Sequence, residues 1–103
     1  MVTKSRMLEA DLRALGLHLA QWRKVRGLTA QMVAERAGIT RATLRGIENG
    51  TGAQRWDSIM AVMRVLDVAR LVVDATDPLS TDVGRANAER ILPTRVIPGR
   101  TSR

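Results

Sequence analysis

Two short segments, each opened by a threonine and closed by a glycine, constrain the fold of this chain more than any other feature. Thr29 is a natural N-cap, and the narrow apolar stripe that follows it ends at Gly38. Thr40 is a second N-cap, and Asn49 and Gly50 end the next segment because both residues tolerate a positive φ. The pattern predicts two short helices joined by a tight turn.

Further helices must pack behind this pair, because two short helices bury little apolar surface alone. Apolar residues spaced by three and four predict a first helix from about Leu8 to Arg26 and a fourth from Trp56 to Leu66. The fifth segment, Val68–Ala75, is too short for periodicity to separate helix from strand, and we favour helix. The residues expected to face the core are Leu8, Leu12, Leu15, Leu19, Trp22, Val33, Ala34, Ala37, Ile39, Leu44, Ile47, Ile59, Met60, Met63 and Leu66.

The charge balance points to a polyanionic partner, since 103 residues carry a net charge of +7. Nucleic acid is the usual partner of so basic a domain. The simpler alternative is that the positive charge is solvated surface charge that only keeps the protein soluble. The absence of cysteine excludes a disulfide scaffold and a thiolate zinc site. No apolar run approaches the roughly 18 residues of a membrane span, and no signal peptide is evident, so we expect a soluble, cytoplasmic protein.

Catalysis is not expected from these residues. His18 is the single histidine, and no carboxylates cluster around it in the sequence. The Gly50-Thr51-Gly52 segment is too short for a phosphate-binding loop and lacks its lysine. Asp74 and Asp77 lie three apart with no further ligand type nearby, so we expect no metal and no cofactor.

The segment from Gly27 to Gly50, GLTAQMVAERAGITRATLRGIENG, resembles the helix-turn-helix of the Cro/phage-repressor-like (xenobiotic-response-element) family. Its ending, Ile47-Glu48-Asn49-Gly50, is particularly typical, and the similarity extends over about Leu12 to Leu71. It implies an all-α fold, in which a five-helix, lambda-repressor-like DNA-binding domain spans residues 1–76. A short irregular C-terminal extension, partly disordered or ordered by a partner, would span residues 77–103.

The same resemblance implies that the helix from Thr40 to Asn49 enters the major groove of double-stranded DNA. Arg41 and Arg45 are four apart and share one face, and arginine can hold guanine O6 and N7. Their alternative role is solvated surface charge. The full set of implied DNA-binding residues is Thr29, Gln31, Thr40, Arg41, Ala42, Thr43, Arg45, Asn49, Thr51 and Arg55.

Two positions depart from the family pattern. Ala30 stands where the family often has a glutamine that orients a recognition-helix side chain, and we expect the neighbouring Gln31 to point elsewhere. Gly46 replaces a longer side chain that often reads bases. The resemblance also implies that Arg23 and Glu48 form a structural ion pair, with an exposed pair of little energetic value as the alternative.

Family members usually bind DNA as dimers, so the resemblance implies a homodimer. Leu71, Val72 and Val73 offer more apolar surface than one face of a terminal helix needs, and we expect them to contribute to the dimer contact unless they are ordinary core. After Asp77-Pro78 the pattern weakens, with Arg95–Ile97 compatible with a short strand.

The extension, residues 77–103, resembles those of HipB-like antitoxins, which repress their own operon and bind HipA-like kinase toxins. Three readings therefore stay open. The first is a dimeric transcriptional repressor. The second adds neutralisation of a HipA-like kinase, and the third is a protein-interaction module that no longer reads DNA.

Overall fold

The computed structural model describes residues 5–92, and in this range the chain is helical without strands. The chain divides into two compact units between Arg70 and Leu71. In chain order the helices of the described range are α1 (Arg6–Val25), α2 (Ala30–Ala37), α3 (Arg41–Asn49), α4 (Trp56–Val65), α5 (Ala69–Ala75), a 3-10 turn (Pro78–Ser80), α6 (Asp82–Ala86) and α7 (Ala88–Ile91). This confirms the all-α fold class, and it shows the Val68–Ala75 segment to be helical.

Side-chain caps and left-handed glycines set the limits of the helix-turn-helix pair. The Thr29 hydroxyl accepts a hydrogen bond from the Met32 amide at 3.1 Å, which starts α2. Gly38 ends α2 with φ +71°, and Gly50 ends α3 with φ +69°. Glycine adopts this left-handed conformation without steric cost, so both helices end where the sequence predicts.

The core of the first unit is aliphatic. Leu44 and Ile47 of α3 pack with residues of the other helices, and Val62, which the sequence pattern did not select, is buried as well. Ile39, Ile59 and Met60 are half-buried rather than buried. The buried apolar side chains are Leu19, Val33, Ala34, Leu44, Ile47, Val62, Met63, Leu66 and Val68.

Helix α1 corrects one expectation about the core. Leu8 and Leu15 lie on the predicted apolar face, yet they are 45% and 36% exposed, whereas Leu19 is buried. For Leu8 the reason is length: α1 has 20 residues, whereas α2, α3 and α4 have 8, 9 and 10. A helix of 20 residues extends about 30 Å, and Gly50, which ends α3, packs against Leu12 and Arg13, so the first turn of α1 extends beyond α3.

The extension contains more regular structure than the weak sequence pattern predicts. Asp77 caps the 3-10 turn by accepting from the Leu79 amide at 2.9 Å, and Thr81 starts α6 by accepting from the Gly84 amide at 3.0 Å. A β-carbon added at Gly84 would overlap the Pro78 carbonyl, so a glycine is needed for these turns to pack. The predicted strand, residues 95–97, lies outside the described residues.

Candidate nucleic-acid interface

Helix α3 presents one polar face and one buried face. Leu44 and Ile47 anchor it in the core, while the opposite side carries the exposed residues Arg41, Ala42, Arg45 and Asn49. Thr40 fixes the start of the helix: its hydroxyl accepts from the Thr43 amide at 3.0 Å and donates to the Thr43 hydroxyl at 3.0 Å. The exposed side therefore projects from a helix whose position is set by its caps and its core contacts.

Gln31 contacts the recognition helix, contrary to the sequence-based expectation that it points elsewhere. Arg41 Nη1 donates to Gln31 Oε1 at 3.3 Å, and Gln31 Nε2 donates to Glu35 Oε2 at 2.7 Å. The long side chain of Arg41 spans the distance from the first turn of α3 to α2, which sequence spacing alone does not reveal. The chain Glu35–Gln31–Arg41 restricts the rotamers of the arginine before any ligand arrives.

The residues after α3 form a polar loop. The Thr51 hydroxyl donates to Gln54 Oε1 at 3.1 Å, and Arg55 forms a two-point ion pair with Asp57 at 2.9 and 3.1 Å. The Arg55 side chain is 81% exposed and the Asp57 side chain is 70% exposed. Because exposed pairs of this kind are weak, Arg55 can exchange Asp57 for a phosphate at small cost.

Arg23 and Glu48 join α1 to the end of α3. Arg23 Nε and Nη2 donate to the two Glu48 carboxylate oxygens at 2.7 and 3.1 Å, and Nη1 donates to the Leu28 carbonyl at 3.5 Å. The side chains are only 16% and 15% exposed. The hydrogen bond with Glu48 raises the pKa of Arg23 above its usual value, against the opposing effect of burial, so the guanidinium stays charged.

Four contacts of the first unit were not predicted from the sequence. Gly16 brings α1 against the backbone of α3, because a β-carbon there would lie 2.5 Å from the carbonyl oxygens of Ile47 and Glu48. Arg26 lies 4.9 Å from the Trp22 ring centroid and donates from Nε to the Leu66 carbonyl at 3.0 Å. Gln54 lies over Gly46. Gly16 lies within the range of the family resemblance, about Leu12 to Leu71, but the sequence alone did not single it out.

The residues predicted to form the dimer contact lie on α5. Leu71 and Val73 are 58% and 45% exposed, and Val72 is half-buried. Three successive helical residues spread over about 200° of the helix surface, so a single neighbour cannot cover them all.

Neither a metal-binding cluster nor a membrane span is found in the part of the chain that the structure describes. Within residues 5–92, no cluster of three or more histidine, aspartate or glutamate side chains is placed to bind a metal. No helix in this range has the length and hydropathy to cross a membrane.

Comparison with known proteins agrees with the geometry of α2 and α3. A family model described as "Helix-turn-helix domain" matches residues 14–76, which is more than half of the chain. A search of curated proteins and a search of solved structures each returned no match. The matched range contains α2, the Gly38 turn and α3 with its exposed arginines. The chain therefore belongs to the helix-turn-helix domain family of DNA-binding proteins.

Proposed function

We propose that this protein is a sequence-specific regulator of transcription that binds its own operator as a homodimer. The observation that carries the proposal is the exposed face of α3, where Arg41 and Arg45 project beside Ala42 and Asn49. The major groove admits one α-helix, and arginine distinguishes guanine there. The net charge of +7 supports attraction to the DNA backbone.

The proposed interface extends beyond α3 on both sides. Thr40 and Thr43 form the cap at its N-terminus, and Gln31 contacts Arg41 from α2. Thr29 caps the start of α2. Thr51 and Arg55 follow α3 on exposed backbone, where they suit phosphate contacts. We keep residues 1–76 as the DNA-binding domain and residues 77–103 as its extension. The family match that ends at residue 76 supports that boundary, whereas the two compact units divide earlier, between Arg70 and Leu71.

Arg41→Ala tests the reading of DNA by α3. We expect the affinity for the operator duplex to fall by about 5- to 150-fold, which corresponds to about 1–3 kcal/mol for one arginine–guanine pair. Binding to a scrambled duplex should fall much less, because only one charge is lost. Fluorescence anisotropy with both duplexes measures the two effects.

Arg64→Ala is the matched control, since it removes an exposed arginine from α4 rather than from α3. It should weaken binding to both duplexes slightly and equally. If Arg41→Ala behaved like Arg64→Ala, α3 would not read bases at this position. The chain would then fit the third reading, a protein-interaction module.

Homodimerisation through α5 is the second part of the proposal. The exposed Leu71 and Val73 support it, and two domains are needed to cover two half-sites about one helical turn apart. We expect light scattering at micromolar concentration to give about twice the chain mass of 11.3 kDa.

The dimer contact is tested with the double variant Leu71→Lys/Val73→Lys. It should shift the mass to that of the monomer, because lysine is poorly tolerated at the core of an interface. Val25→Lys is the control, as Val25 is a 71% exposed apolar residue on α1. A monomeric wild type, or a double variant that remains dimeric, would contradict this contact.

The kinase partner stays a prediction of the resemblance to HipB-like antitoxins. Part of the segment on which that resemblance rests, residues 93–103, lies outside the described residues. Within the described part, Leu79, Val83, Ile91 and Leu92 are exposed apolar side chains of the second unit. They support a protein contact of the extension without identifying its partner.

A further inference from the structure

Gln54 covers the one position on the flank of α3 that has no side chain. A β-carbon added at Gly46 would overlap Gln54 Nε2 and would lie 2.9 Å from Gln54 Cδ. Gln54 is half-buried, whereas its neighbours Ala53 and Arg55 are exposed. The amide group of Gln54 therefore fills the space that a side chain at position 46 would take.

The loop after α3 holds this amide in place. The Thr51 hydroxyl donates to Gln54 Oε1 at 3.1 Å, and the Thr51 amide donates to the Gly46 carbonyl at 3.1 Å. Among the hydrogen bonds of residues 5–92, none has Gln54 Nε2 as its donor. The carbonyl side of the amide is thus fixed within the protein, and the NH₂ group keeps its donor capacity for a ligand.

The position of Gly46 on α3 places this amide at the edge of the exposed face. Gly46 follows Ala42 by four residues and precedes Asn49 by three, so the three positions share one side of the helix. Ala42 and Asn49 are exposed on that side. Arg41 and its Gln31 partner lie toward the other edge of the same face. The amide of Gln54, which belongs to the loop, therefore occupies the place that a side chain of α3 would take at position 46.

We propose that Gln54 is a specificity-determining residue, whose amide reads a base edge in the major groove next to the bases contacted by α3. The inference rests on the proposed function, because it requires α3 to lie in that groove. An amide donates through NH₂ and accepts through the second lone pair of its oxygen, which matches adenine N7 and N6. The base that this residue selects is adenine.

The test begins with selection of binding sites from a random duplex library by the full-length wild-type protein. We expect the selected sites to contain a position with an adenine preference that disappears with Gln54→Ala. On duplexes that differ only at that position, the preference for adenine should be about 5- to 150-fold for the wild type and near unity for the variant. Gln21→Ala, at an exposed glutamine of α1, is the matched control and should select the same sites as the wild type.

Gly46→Ala provides an independent second variant. Its methyl group displaces the Gln54 amide, so it should remove the same adenine preference without changing Gln54 itself. The double variant Gly46→Ala/Gln54→Ala should then be no less selective than either single variant. This lack of additivity is the signature of two changes that remove one interaction. Circular dichroism melts verify that each variant is folded.

The outcomes separate this inference from the proposed function. If the wild type selects no sequence, the proposed function fails. If the wild type selects a site and Gln54→Ala selects the same site, the proposed function stands and the role of Gln54 is overturned. Equal weakening on every duplex would also overturn it, because that result describes a phosphate contact rather than base reading.

Discussion

Gly16→Ala is expected to lower the free energy of unfolding by about 3 kcal/mol, the upper end of the range for overpacking. The added β-carbon would lie 2.5 Å from the carbonyl oxygens of Ile47 and Glu48, and backbone atoms of a helix cannot move aside locally. Relief requires α1 and α3 to separate, which opens the core around Leu44. For a domain of this size, the melting midpoint should fall by about 10–20 °C.

Gly46→Ala is the control for this prediction, since it makes the same substitution in another helix. There the new methyl group meets the flexible Gln54 side chain rather than backbone. Alanine also favours a helix over glycine by about 0.5–1 kcal/mol, so this variant should be neutral or slightly more stable. If thermal melts gave equal destabilisation for the two variants, or none for Gly16→Ala, the close approach of α1 and α3 would be contradicted.

Arg23→Ala is expected to destabilise the fold by about 3 kcal/mol, because it leaves the Glu48 carboxylate without its partner in a site where it is only 15% exposed. The remaining exposure lets some water reach the carboxylate, which places the effect at the low end of the range of about 3–5 kcal/mol. Urea unfolding followed by circular dichroism measures this loss. If the dependence of the unfolding free energy on urea concentration (the m-value) is unchanged, only the stability has changed.

Two further variants isolate the cause. Arg55→Ala removes an ion pair that is 81% and 70% exposed, so it should cost less than about 1 kcal/mol. The double change Arg23→Met/Glu48→Leu removes both charges together, so it should recover much of the stability lost in Arg23→Ala. An unchanged unfolding midpoint for Arg23→Ala would show that the pair does not hold α1 to α3.

Loss of the Gly16 contact or of the Arg23–Glu48 ion pair should weaken DNA binding, because each contact fixes the position of α3. Gly16 and Arg23 both lie on α1, and their partners are the last residues of α3. Neither residue needs to touch DNA for its replacement to weaken binding. This distinguishes them from Arg41, whose replacement should weaken binding without changing stability by more than a few tenths of a kcal/mol.

The helix-turn-helix was predictable from the sequence because its limits are set locally. Thr29 and Thr40 cap helices through bonds to residues three positions away, and Gly38 and Gly50 supply the left-handed turns. Such local chemistry is visible in one stretch of sequence. The burial of Leu44 was also predictable, because Leu44 and Ile47 are spaced to lie on one face of α3.

The remaining features depend on contacts between distant residues. Exposure of Leu8 depends on where the neighbours of α1 end, which no periodicity within α1 reveals. The contacts of Gln31 with Arg41 and of Gln54 with Gly46 depend on how long side chains reach across helices and loops. Asp77 and Thr81 are residue types that commonly cap helices, but the elements they start are too short to show a helical spacing of apolar residues.

The central claim is that this helix-turn-helix protein reads a DNA sequence, and one titration tests it most directly. The protein is titrated into a labelled duplex from just upstream of its own gene and into a scrambled duplex, at about 50 and 200 mM salt. We predict binding to the native duplex that is about 10³-fold tighter or more at both salt concentrations. Equal binding to both duplexes, lost as salt rises, would contradict the claim, because it would leave only counterion release along the backbone.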